Sequence, residues 1–367
     1  MSGDRMPLLV QVLRAPHAVQ ALDLPGWSLL LRQAERADMQ ATLLALLEDA
    51  DLLETVPDAP RTHLEWIRTG ATRHAQAVRN EVRQILRALD GLDLPVILLK
   101  GAAYAMAGLE AGRGRRFSDI DILVPKASLP AVESALMQNG WATTHHDAYD
   151  QRYYREWMHE LPPMEHVLRG NVIDVHHAIL PETAALHPDP AKLRAAAVPI
   201  DAPDAAPGGM RLAILAPHDM VLHSAVHLFS EGEFHHGLRD LFDVHRLLGQ
   251  FGPAPGFWDG LVPRARELDL GRPLFYALRH AMRVFGTPVP AQVVRTVASC
   301  GPGPLRTALM DTLFGRALRP PHPDCMDALS GPALGLLYVR GNWLRMPPLL
   351  LVQHLFRKAL ISPRKPL

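Results

Sequence analysis

The chain has 367 residues, with 38 Lys plus Arg against 38 Asp plus Glu. That length suffices for two or three structural units around a sizeable core, and the balanced charge excludes a global basic field of the kind that holds long nucleic acid or an anionic membrane surface. Two cysteines, Cys300 and Cys325, with no CxxC or zinc-type Cys/His spacing, exclude a disulfide scaffold.

The opening MSGDRMPLLVQVLRAP carries an early acidic residue and an apolar run too short for a signal peptide. No run of about 18 apolar residues is free of charge. A cytoplasmic location without stable membrane insertion is therefore expected. Trp27 to Glu48 has apolar residues at helical spacing, and a longer helix is predicted from Arg61 to Asp90, with Leu64, Ile67, Val78, Val82, Ile85 and Leu89 as its buried stripe.

After residue 90 the pattern changes. Pro95–Leu99 reads as a short strand, followed by Lys100-Gly101 and a small-residue helix start, AAYAMAGL. Asp119–Val124, DIDILV, is a second strand. Ser128 opens a helix with Pro130 in its first turn, and Asn139-Gly140 ends it. Trp141–Thr144, Pro163–Leu168 and Val172–His176 are further strand candidates, the last two joined by an Arg169-Gly170-Asn171 turn. Residues 181–209, rich in Pro, Ala and Asp and ending in Gly208-Gly209, read as a peripheral excursion or linker. From Arg211 the pattern is helical to Leu248, and again from Phe257 to the end. The apolar Pro347–Leu360 segment, with Arg357 and Lys358 near its end, is expected as a buried terminal helix rather than one lying on a membrane. The fold class expected is α+β. A small mixed β-sheet core over residues 91–209 is flanked by an N-terminal helical region, 1–90, and a C-terminal helical region, 210–367.

The DIDILV strand is the most informative segment. Side chains alternate along a strand, so Asp119 and Asp121 share one face while Ile120 and Ile122 point into the core. Two carboxylates so placed repel each other, and a divalent cation between them relieves the repulsion. Asp174, flanked by Ile173 and Val175 in NVIDVHH, is a third carboxylate in an apolar strand. Three such groups suit two ions, Mg²⁺ or Mn²⁺. Upstream, Gly101 lets the backbone approach phosphate oxygens, Lys100 adds a charge, and Arg116 is the best placed of Arg113, Arg115 and Arg116 to reach a phosphate.

In this order the segments RNEVRQILRALDGLDLPVILLKGAAYA, RRFSDIDILV and NVIDVHHAIL, with the His-rich stretch after them, resemble the DNA-polymerase-beta-like nucleotidyltransferase superfamily. Within it the chain is similar to a bacterial family of uncharacterised nucleotidyltransferases, over roughly residues 75 to 250. The resemblance implies that Gly101 and Ala102 occupy the glycine motif, Asp119 and Asp121 the metal pair, and Asp174 the third carboxylate. Ser118, beside the pair, joins Lys100, Gly101, Ala102 and Arg116 as the nucleotide-binding set. One departure stands out: superfamily members often have Gly-Gly or Gly-Ser where this chain has Gly101-Ala102. The implied reaction moves an NMP from an NTP to a hydroxyl-bearing acceptor and releases pyrophosphate. The acceptor stays open between a small molecule, a peptide or protein, and a tRNA end.

A second motif competes. The segment from His218 to His245 holds His218, His223, His227, His235, His236 and His245 with Asp219, Asp240 and Asp243, reminiscent of HD-type metal phosphohydrolases. The plainer alternative is ion pairing, with Asp240 or Asp243 on Arg239, Arg246 or a nearby His. His176, on the face of Asp174, and His223 and Asp243 are candidates for the substrate side. A third reading is a non-catalytic nucleotide-binding protein of the same fold.

Overall fold

A computed structural model describes residues 6–144, 151, 153–201 and 211–346. The Pro347–Leu360 segment and the Gly208-Gly209 end of the expected linker lie outside the described residues. The helices are α1 (Leu8–Arg14), α2 (Leu24–Arg36), α3 (Gln40–Asp49), α4 (Asp58–Ala88), α5 (Lys100–Met106), α6 (Leu129–Gln138), α7 (Pro190–Ala195), α8 (Pro217–Ser230), α9 (Gly237–Phe251), α10 (Phe257–Glu267), α11 (Gly271–Phe285), α12 (Ala291–Ala298), α13 (Pro304–Ala317) and α14 (Ser330–Arg345). The strands are β1 (Val96–Leu98), β2 (Asp119–Leu123), β3 (Trp141–Thr143), β4 (Met164–His166), β5 (Val172–His176), β6 (Val198–Pro199) and β7 (Leu212–Ile214).

The architecture is α+β, as expected: one mixed seven-stranded sheet in the order β3-β4-β5-β2-β1-β7-β6, with helical regions before and after it. The pairing that matters for the site is β2 with β5. They run parallel with Asp121 opposite Asp174 and Ile120 opposite Ile173. The isoleucines and Val175 are buried on one face, which commits the aspartates to the other. Burial of those three side chains stabilises this register by roughly 1.5–3 kcal/mol each.

Helix α4 lays Leu64, Val78, Val82 and Ile85 into the core, with Leu89 buried just past its end. Its stripe carries one charged residue, Glu81, also buried. Arg169 grips the Glu81 carboxylate with two bonds of 2.9 Å, and Asn171 Nδ2 donates to it at 2.7 Å. The Arg169 guanidinium also lies 4.8 Å from the Trp141 ring centroid. The expected turn between β4 and β5 is thus fastened to α4, which holds the β5 side of the sheet in place.

Three expectations need correction. The single helical stretch from Trp27 to Glu48 breaks into α2 and α3 at Asp38, whose φ of 54° is left-handed, a conformation aspartate tolerates better than most residues. Helix does not begin at Arg211: Leu212–Ile214 is β7, buried throughout and parallel to β1. Three apolar residues in a row carry no period, so only the vacancy beside β1 decides their conformation. The described part of the excursion over 181–209 holds α7 and the edge strand β6. Among the described residues no helix is long and apolar enough to cross a membrane. Both cysteines are free.

Candidate active site

The register of β2 and β5 brings the three predicted carboxylates together. One oxygen each of Asp119, Asp121 and Asp174 lie within 4.8 Å of one another. Asp121 is buried and Asp119 and Asp174 are half-buried. Asp174 Oδ1 is shielded from solvent and has no hydrogen-bond partner. A buried acceptor left unpaired costs roughly 1–3 kcal/mol, and a cation would satisfy it. The residues present therefore fit a divalent ion.

The two facing carboxylates differ in their surroundings. Burial opposes ionisation of Asp121, but the Lys100 ammonium at 3.5 Å and the His176 Nε2 contact at 2.8 Å hold its carboxyl well below the usual range. Burial, followed by the negative charges of Asp121 and Glu160, pushes Asp174 up to about 7. Two neighbouring carboxylates thus share less than two full charges in the bare protein. Burial alone would lower the Lys100 amine, but Asp121, Glu231, Asp119 and Glu160 raise it.

The approach to the site is a sharp turn from β1 into α5. Leu99 donates its N–H to Asp121 O, and Lys100 follows with φ 45°, a left-handed conformation that is strained for a non-glycine residue. That turn aims the Lys100 side chain back at Asp121. Gly101 comes next and is buried. A Cβ there would collide with Arg115 Nη1 and lie 2.6 Å from Phe117 Cδ1. The glycine is required by its packing against these two side chains, a reason the sequence did not display. Ala102 is buried in the core and does not line the cavity described next.

A cavity of about 760 Å³ opens beside the carboxylates. Lys100, Gly101, Arg116, Ser118, Asp119 and Asp121 line it, so most of the predicted nucleotide set is gathered there. Of the three candidate arginines, Arg116 is exposed to this space. Arg113 turns away to Asp49, and Arg115, which also lines the cavity, is buried against Asp243 at 2.6 Å. Ser118 Oγ lies 3.5 Å from Asp119. The N-terminal region contributes Asp38 and His74, and the His-rich region contributes His227, Glu231, His235 and His236. Asp38 and His74 had no motif to mark them. They arrive only because α2 and α3 pack on α4, and α4 packs on α5 and α6.

The substrate-side candidates divide. His176 is buried with Nε2 on Asp121, so it touches the carboxylate set directly. His223 is buried, and burial, followed by Lys100 and His227, keeps its ring neutral. It does not line the cavity; His227, one turn on, does. Asp243 serves Arg115 and does not line the cavity either. The plainer alternative of ion pairing therefore holds: Asp240 pairs with Arg239 at 3.2 Å, as expected, and Asp243 pairs with Arg115.

A family model described as an uncharacterised nucleotidyltransferase matches residues 23–286. The chain belongs to that family. The matched span includes the N-terminal helices that carry Asp38 and His74, the whole sheet, and α8 to α11. A comparison with curated proteins found no match. In this member of the family the first His-Asp pair of the competing motif is already engaged. His218 Nε2 contacts Phe257 O at 2.8 Å with the ring stacked on Phe257, and Arg264 takes both Asp219 oxygens at 2.7 and 2.8 Å. Among the described residues, no group of three metal-ligating side chains forms between His218 and His245.

Proposed function

We propose that this protein transfers a nucleoside monophosphate from an NTP to a hydroxyl-bearing acceptor and releases pyrophosphate, using the site of Asp119, Asp121 and Asp174. The observation that carries the reading is the in-register pairing of Asp121 with Asp174, with Asp119 on the same face, at the edge of a cavity large enough for a nucleotide. This site also fits the DNA-polymerase-beta-like superfamily to which the sequence points.

Held by the three carboxylates, two Mg²⁺ or Mn²⁺ ions would neutralise the phosphate oxygens and the leaving pyrophosphate. The side chains supply the rest. Arg116, with Ser118 beside it, faces the cavity as a charged donor for the triphosphate. Lys100 holds Asp121 in its ionised form and in place. His176 Nε2 fixes the same carboxylate from the other side. Asp174 is the group positioned to take the acceptor's proton as its oxygen attacks the α-phosphorus. His227, Glu231, His235 and His236, which line the same cavity, are the groups we assign to the acceptor.

The test is incubation with each of the four NTPs, labelled at the α-phosphate, with Mg²⁺ or Mn²⁺ and a cell extract as acceptor source. Label transfer with pyrophosphate release supports the reading. Metal-dependent NTP binding with no pyrophosphate in any extract would instead make the chain a nucleotide-binding protein that kept the fold.

A further inference from the structure

Behind Asp121 lie groups that this mechanism does not use. His159 and Glu160 come just before β4, and Glu160 forms an isolated antiparallel bridge with His176 at the end of β5. One ring nitrogen of each histidine and one Glu160 oxygen lie within 4.8 Å of one another. His159 and His176 are 8% and 4% exposed, and their rings stand 5.2 Å apart. Nδ1 of both is shielded from solvent and has no hydrogen-bond partner. His176 Nδ1 lies 3.2 Å from Glu160 Oε2, yet without hydrogen-bond geometry. That separation is close to the edge, about 3.3 Å, of a tetrahedron built on ~2.0 Å bonds to zinc.

We propose that His159, Glu160 and His176 bind a zinc-class divalent ion at a site separate from the three-aspartate set. Two unpaired buried imidazole nitrogens cost roughly 1–3 kcal/mol each, and a metal ion satisfies both at once. Two imidazoles and one carboxylate suit zinc and its transition-metal neighbours, whereas three carboxylates suit Mg²⁺ or Mn²⁺. Three protein ligands leave the ion an open position. The outer contact has the form metal-ligating histidines require, because the other ring nitrogen of His176, Nε2, lies 2.8 Å from Asp121 Oδ1. The ion would fix the His176 tautomer and so orient Asp121, which makes His159 and Glu160 positioning residues. Burial keeps the His159 ring neutral, the form that ligates. The competing occupant is a proton on His176 Nδ1 facing Glu160.

The experiment uses the full chain, stripped with a chelator and titrated with Zn²⁺ against a chromophoric zinc indicator in excess Mg²⁺. The wild type should take up one tight Zn²⁺. His159→Ala and Glu160→Gln should weaken that binding by roughly 100-fold or more, and an Asp119→Asn/Asp174→Asn double variant should retain it. X-ray absorption at the zinc edge of the loaded wild type needs no variant to fold and should show scattering from two imidazoles. Equal Zn²⁺ affinity in the wild type, His159→Ala and Glu160→Gln would overturn the proposal. So would loss of binding only in the aspartate variant, or a zinc edge without imidazole. None of these readouts depends on nucleotide transfer, so the site can fail while the proposed reaction stands.

Discussion

Gly101→Ala puts one methyl group where the protein has no room. The new Cβ would strike Arg115 Nη1 and sit 2.6 and 2.9 Å from the Phe117 ring carbons Cδ1 and Cγ. The backbone is not the obstacle, because Gly101 is not among the residues with positive φ. The cost depends on which neighbour yields. Phe117 is half-buried at the cavity and can swing aside. Arg115 has a flexible tip, but that tip is clamped: its side chain is 7% exposed, Nε bonds Asp243 at 2.6 Å, and Nη2 lies 3.7 Å from Asp240. Moving it would strain a buried ion pair, whose outright loss costs roughly 3–5 kcal/mol. Overpacking of this kind costs about 1–3 kcal/mol, and we expect about 2 kcal/mol for Gly101→Ala, with more for Gly101→Val. Urea unfolding followed by circular dichroism measures it, beside nucleotide titration by calorimetry. Adding Phe117→Ala should recover part of the loss. A Gly101→Ala protein as stable as wild type but deficient in NTP binding would refute the packing argument and return the glycine to the phosphates alone.

Asp119→Asn or Asp121→Asn should lower nucleotidyl transfer by ~100-fold or more, since metal Lewis-acid stabilisation is worth several kcal/mol; near-wild-type turnover in the labelled-phosphate assay would show the site misassigned. Asp174→Ala should abolish transfer while His218→Ala leaves the chemical step alone, and product analysis of the pair separates this reading from an HD-type phosphohydrolase, which would show the reverse. Glu81→Gln should destabilise the fold by roughly 2 kcal/mol, because Arg169 loses its charged bidentate partner at the β4–β5 turn; an unchanged urea midpoint would mean that turn is held by other contacts. Burial holds His245 and His280 at about 4 in the fold, against an ordinary value near 6.5. Their neutral forms are favoured on folding, so this stability is full above pH 6.5 and is lost as pH falls toward 4, by up to roughly 3 kcal/mol for each. His245→Gln and His280→Gln should each flatten the fall in stability between pH 7 and pH 5, and an unaltered slope in both would contradict the assignment.

Much of the site was legible because it rests on local rules. DIDILV places Asp119 and Asp121 on one face by strand alternation alone, and NVIDVHH does the same for Asp174 and His176. What alternation cannot supply is register: Asp121 meets Asp174 because β2 and β5 are parallel and level, a long-range pairing. The α4 stripe was readable from its period, but the role of Glu81 depends on Arg169 and Asn171, 88 and 90 residues away. Asp243 looked like a substrate-side residue beside its histidines, and its partner, Arg115, comes from a distant loop.

The sequence by itself determined the α+β class, the three carboxylates and the glycine turn, since each follows from a pattern within a few residues. Tertiary structure alone decided that Leu212–Ile214 is a strand, that Asp38 and His74 face the cavity, that Gly101 answers to Arg115 and Phe117, and that His159 and Glu160 stand behind Asp121. Those placements depend on which surfaces become neighbours once the helices close over the sheet. Burial and pairing between segments far apart in the chain leave no periodic mark in any one of them.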